Sequence, residues 1–133
     1  MKKMLYTTLL MLICITLSTF AQDNSKKEMV IIKPKVIIGD LIFVYNVLNT
    51  IDISGQEVDA FLECRTFFKN IIETADKEKR KLEDEITVDM PLVIGQNLSV
   101  FLKRGKFKGE QADFYKRFME ALVASAEKLN APK

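Results

Sequence analysis

At 133 residues, with 20 lysines and arginines against 18 acids, the chain is one domain long and has no charge excess that would draw it to nucleic acid. It contains no histidine, which removes the usual general base near neutral pH, the commonest zinc ligand, and the Ser-His and Cys-His nucleophile pairs.

The first 21 residues read as an export signal. Lys2 and Lys3 precede an almost unbroken apolar run, Met4 to Leu17, and Thr19-Phe20-Ala21 forms a small-x-small exit before Gln22. The pattern predicts a signal peptide over Met1–Ala21 and an exported protein, periplasmic or secreted after cleavage. The alternative is an uncleaved helix that anchors the chain, and contact with a membrane is expected only in that case. A lipoprotein signal is disfavoured because Ile13, before Cys14, is not small and the sequence beyond stays apolar. Cleavage removes two lysines and no acid, so the mature chain has 18 basic and 18 acidic residues, and Cys64 is its one cysteine.

Residues 22–28 are polar and are expected to be disordered. Met29 to Lys33 predicts a short strand ended by Pro34, which can open a helix because a first-turn residue needs no amide hydrogen. In the apolar stretch Val36 to Ile51, Leu41, Val44, Tyr45, Leu48 and Ile51 recur at helical spacing. A turn at 52–55 leads to Ser54 and Glu57, the two ends of a capping box. The next helix carries a broad stripe that includes Val58, Phe61, Leu62, Cys64, Phe67, Phe68 and Ile71. The alternating charges from Asp76 to Glu85 predict a solvated extension of that helix. A second short strand follows at 86–90, then Pro91 and a helix to about Arg104. Beyond a turn at 105–109, a last helix from Glu110 to about Leu129 carries Phe114, Tyr115, Phe118, Leu122, Val123 and Ala126 inward.

The halves resemble each other. At an offset of 54, Val44, Leu48, Ile53, Gly55 and Phe61 fall on Leu98, Leu102, Phe107, Gly109 and Tyr115. Upstream the offset becomes 57, with Pro34 over Pro91. The expected fold is mainly α: a single domain over 29–133, built as a four-helix bundle. It comprises two similar hairpins, 29–85 and 86–130, in a pseudo-two-fold arrangement, with a two-stranded ribbon of 29–33 and 86–90. Gly55 and Gly109 are expected to supply positive φ or a tight approach in the turns, and Ile53 and Phe107 to plug the hairpin mouths.

Few residues suggest chemistry. The turns lack the ligands of a calcium loop, since Phe61 stands where a bidentate glutamate is needed. Lys103, Arg104, Lys106 and Lys108 form the one concentrated basic patch, a candidate contact for an anion or a partner. Cys64 lies on the apolar stripe, as expected for a core residue, with an intermolecular crosslink as the minor alternative. No catalytic residue, metal or cofactor is expected. The expected function is a non-enzymatic interaction protein of the bacterial envelope or secretome. It would act through its hairpin surfaces on another protein or on a second copy of itself, as a homodimer. The alternatives are an anchored structural or accessory subunit, and a small inhibitor or anion binder using the turn 103–108.

Overall fold

The computed structural model describes residues 28–131. The expected leader, 1–21, and all but the last residue of the polar segment 22–28 lie outside the described residues. Four helices dominate: α1 (Ile38–Leu48), α2 (Val58–Lys77), α3 (Leu92–Leu102) and α4 (Ala112–Asn130). Four short strands precede the short helices, β1 (Ile31–Ile32) and β2 (Lys35–Ile37) in the first half, β3 (Glu85–Thr87) and β4 (Met90–Pro91) in the second.

The strands form one antiparallel ribbon. Ile31 and Ile32 pair with Pro91 and Met90, and Lys35, Val36 and Ile37 pair with Thr87, Ile86 and Glu85. The register does not slip between the two segments, because Val88 donates to the Pro34 carbonyl at 3.0 Å. Pro34 has no hydrogen to return, so the ladder is thinnest there. The ribbon is thus longer than the expected 29–33 with 86–90. Pro34 does not open a helix; the strand continues past it and α1 begins at Ile38.

The ribbon also starts the short helices. Neither α1 nor α3 has a side-chain cap. Ile38 and Gly39 instead donate to the carbonyls of Asp84 and Leu82, at 3.1 and 2.9 Å, and Leu92 donates to that of Val30 at 2.8 Å. These bonds satisfy amides that a helix N-terminus otherwise leaves open. Each short helix is therefore positioned by the opposite half of the chain.

Element boundaries repeat at an offset of 54. Helix α1 maps onto α3, and the 3-10 turn Gly55–Glu57 maps onto Gly109–Gln111. Burial repeats as well: Asp40, Leu41, Val44, Val47 and Leu48 correspond to Ile94, Gly95, Leu98, Phe101 and Leu102, all buried. The strands keep close to the same offset, since β1 and β3 begin at Ile31 and Glu85. The offset of 57 expected upstream is therefore wrong. Pro34 and Pro91 do not occupy equivalent positions.

The two short helices lie at the centre and the long helices flank them. Helix α2 packs on α1 and α3, and α4 packs chiefly on α1 and on strands β1 and β2. Phe68 and Phe118 join the long helices, with ring centroids 6.0 Å apart. Phe114 and Val123, expected inward, are exposed. Among the described residues a single ion enters this core: Asp40 is 1% exposed, and Arg117 of α4 donates to it twice, from Nε at 2.7 Å and Nη2 at 2.6 Å. The fork matches the carboxylate geometry and leaves neither acid oxygen without a donor.

The charged run 76–85 does not continue α2 as a helical extension. The helix ends at Lys77, where Lys79 and Arg80 donate to the carbonyls of Asp76 and Ala75 in a Schellman closure. Lys79 takes φ 56° there, the left-handed conformation that glycine adopts at no steric cost. The reversal feeds the chain into β3, which a longer helix would forbid. Lys79→Gly is expected to raise the unfolding free energy by about 0.5–1 kcal/mol in urea titration; a loss of stability would contradict the left-handed closure.

Candidate functional site

The basic turn sits at the N-terminal end of α2 and is largely structural at one of its four positions. Arg104 forms a two-pronged ion pair with Glu57, Nη1 donating to Oε2 at 2.8 Å and Nη2 to Oε1. Its guanidinium also lies 5.9 Å from the Phe101 ring centroid. Lys103, Lys106 and Lys108 are exposed and form no ion pair among the described residues. Phe107, between them, stacks on Tyr115 at 5.1 Å and meets Phe43 edge-on at 5.6 Å. Ile53 is half-buried against the core.

Glycine is placed differently from expectation. Neither Gly55 nor Gly109 has positive φ, and a Cβ on either would meet no atom within 4 Å. The close approach in this region belongs to Gly105, whose added Cβ would come within 2.5 Å of Val47 Cγ1. Glu57 accepts from the Ser54 amide at 2.9 Å, which is the reciprocal half of the expected capping box. Its second acceptor role is taken up by Arg104.

Cys64 is buried, and its thiol points at the Ile94 carbonyl at 3.7 Å. Burial pushes its pKa up to about 11, and the charge of Glu63 adds to the rise. The alternative of an intermolecular crosslink fails for this fold: a neutral thiol between α2 and α3 cannot reach a second molecule unless the helices part.

A separate concavity lies at the opposite end of α2. A groove of about 680 Å³ separates the C-terminal half of that helix from β3, within the range of binding clefts. Phe67, Ile71 and Ala75 supply its apolar helical wall, and Asn70 and Thr74 add polar atoms. The facing wall is five consecutive residues, Glu85 to Asp89. Alternate side chains of a strand point to opposite faces, so five in succession border one groove only if it runs along the strand's edge. A shallower depression shares Phe67 and Asn70 with it and continues past Pro91 and Ile94.

Hydrogen-bond parity identifies what that edge presents. Leu92 and Val88 donate across the ribbon and Asp84 accepts, so even-numbered residues of this strand turn their backbone groups inward. Glu85, Thr87 and Asp89 therefore turn theirs outward, toward the groove. Pro91 also falls at an outward position, where its missing hydrogen costs no ladder bond. On the other side of the ribbon α4 packs against β1 and β2, whereas α2 has no comparable contact with β3 or β4. The groove exists because one long helix closes on the ribbon and the other stands off.

The walls carry acid. Asp59, Glu63, Glu78, Glu85 and Asp89 line the two connected depressions, against Arg80 as their one base. Arg80 is held by Glu78 at 3.0 Å, and Lys33 reaches Asp89 across the ribbon at 3.2 Å. Among the described residues no group of three or more His, Cys, Asp or Glu side chains is arranged to hold a metal ion, and no helix is long and apolar enough to cross a membrane.

Sequence reasoning did not find this groove, but a signal was present. The apolar stripe of α2 is wider than its helix contacts can cover: Phe61, Cys64 and Phe68 are buried, Phe67 and Ile71 are half-buried, and Leu62 is exposed. Asp40 was legible too, as a lone acid within the apolar run that forms α1.

The Glu57–Arg104 pair makes a pH prediction. The guanidinium, followed by the Ser54 amide, holds the Glu57 carboxyl at about 2, below its ordinary 4.5. A depressed acid stabilises the fold above its unfolded value and loses that contribution as pH falls toward the folded one. The stability difference between wild type and Glu57→Gln, read from urea titrations, is expected to be constant near neutrality and to close between about pH 4.5 and 2; a gap independent of pH would contradict the pairing. Neither protein-family models, curated proteins nor solved structures match this chain.

Proposed function

We propose that this is a non-enzymatic binding protein, exported through its N-terminal signal, that holds another protein in the groove between α2 and β3. One observation carries the reading: a strand edge that is unpaired among the described residues runs along a groove whose other wall is apolar and whose rim is acidic. Free edges invite pairing with another chain, and stable proteins ordinarily blunt or cover them. Here α4 packs against β1 and β2, whereas α2 makes no comparable contact with β3 or β4.

The two halves are, on this reading, copies of one unit related by a pseudo-two-fold axis through the ribbon. The common offset of the helices, the matched burial of α1 and α3, and the antiparallel pairing of β1 with β4 and β2 with β3 all support it. One copy kept its long helix on the ribbon. The other opened a space there, and binding is assigned to that difference. The basic turn is the weaker candidate because Arg104 is already engaged by Glu57.

Two variants separate the surfaces. Thr74→Arg fills the groove from an exposed helical position, and Lys103→Glu with Lys106→Glu and Lys108→Glu reverses the free charges of the turn. A protein captured from envelope extract by wild type is expected to be lost with Thr74→Arg and retained with the triple variant, both folded by circular dichroism. Retention by Thr74→Arg together with loss by the triple variant would overturn the assignment in favour of the turn.

A further inference from the structure

We infer that the groove takes an extended peptide of alternating basic and apolar residues, which adds as a third strand to the outer edge of β3. The inference rests on the binding role proposed above and specifies its chemistry.

The edge dictates the backbone of the occupant. The outward amides and carbonyls of Glu85, Thr87 and Asp89 recur every second residue, about 6.6 Å apart at the rise of a strand. A ligand that satisfies them must carry donors and acceptors at the same period, which is what another extended chain does. From Glu85 to Pro91 the edge is about 20 Å long, enough for roughly six residues of a partner. Helices, small anions and flat rings lack this array.

The two faces of the ribbon dictate the side chains. Ile86 and Val88 point toward the core and are half-buried and buried, while Glu85, Thr87 and Asp89 are exposed. A strand laid beside them would continue both faces. Its inward residues would meet Phe67, Ile71 and Ala75 of α2, which line the same groove, and apolar side chains gain most from that burial. Its outward residues would stand next to Glu85 and Asp89, with Glu63 and Asp59 in the connected depression. Lysine or arginine complements those positions, and an acidic peptide would be repelled.

Proline provides the test, because it removes a donor at an outward position without touching the ladder, as Pro91 already shows. The probe is a blocked hexapeptide of alternating lysine and valine, titrated into isotope-labelled full-length protein and followed by amide shifts. Binding is expected to move the amides of Glu85, Thr87 and Asp89. Thr87→Pro should weaken it about tenfold, the scale of one or two backbone hydrogen bonds, while Thr87→Ala leaves it unchanged. The same peptide with glutamate for lysine should not bind. Failure of the lysine peptide to bind, or equal binding by folded Thr87→Pro, would overturn the inference. If Thr87→Pro does not fold, alternate N-methylation of the peptide decides: undiminished binding to wild type refutes strand addition, and a tenfold loss supports it. Refutation here, alongside loss of the captured protein by Thr74→Arg, would leave the groove as the binding surface and remove only the strand mode.

Discussion

The antiparallel ribbon is the constraint on which the remaining structure depends. Its register brings residues 30–38 against 84–92, and the last bonds of that ladder are also the first bonds of α1 and α3. The central helices have no side-chain caps of their own, so without the opposite strand their leading amides would be unsatisfied inside the protein. Neither half can place its short helix alone. Packing of α2 and α4 follows from where those central helices are held.

That arrangement bears on why the two sides of the ribbon present unequal surfaces. Asp40 and its equivalent Ile94 occupy the same buried helical position, but only the acid can recruit a cation. Arg117 reaches it from α4, tying that helix to the first half, where it also lies against β1 and β2. The equivalent of Arg117 on α2 is Glu63, which finds an isoleucine rather than an opposite charge and lines the shallow depression instead. An ion pair with a buried acid and an exposed arginine thus accompanies the closed side of the ribbon, and no such pair is seen on the open side among the described residues. The open side keeps a strand edge, an apolar wall and an excess of acid over base together.

Much of the architecture was legible in the residues. Helical spacing placed the start of α2 and both ends of α4 to within a few residues, Ser54 with Glu57 marked the start of α2, and similarity at an offset of 54 anticipated the matching of α1 with α3. The errors have physical causes. Pro34 suggested a helix start because its ring favours one, yet ladder bonds on either side of it keep the chain extended. Charges from Asp76 to Glu85 resembled an exposed helix, whereas the chain has to reverse there to supply β3, and Lys79 adopts a left-handed conformation without the glycine that would have announced it. The groove was hidden for a different reason. It depends on which of two similar helices stands away from the ribbon, a tertiary choice to which Phe67, Ile71 and Leu62 contribute only an unusually wide stripe.

Among the described residues the strand from Asp84 to Leu92 is bonded on one side and free on the side facing α2. Amide hydrogen exchange in the free protein reads this residue by residue. A period of two is expected, with Ile86, Val88, Met90 and Leu92 protected and Glu85, Thr87 and Asp89 exchanging at rates close to those of an unstructured chain. Protection of Thr87 and Asp89 equal to that of Val88 would mean that the edge is already occupied, and would contradict it.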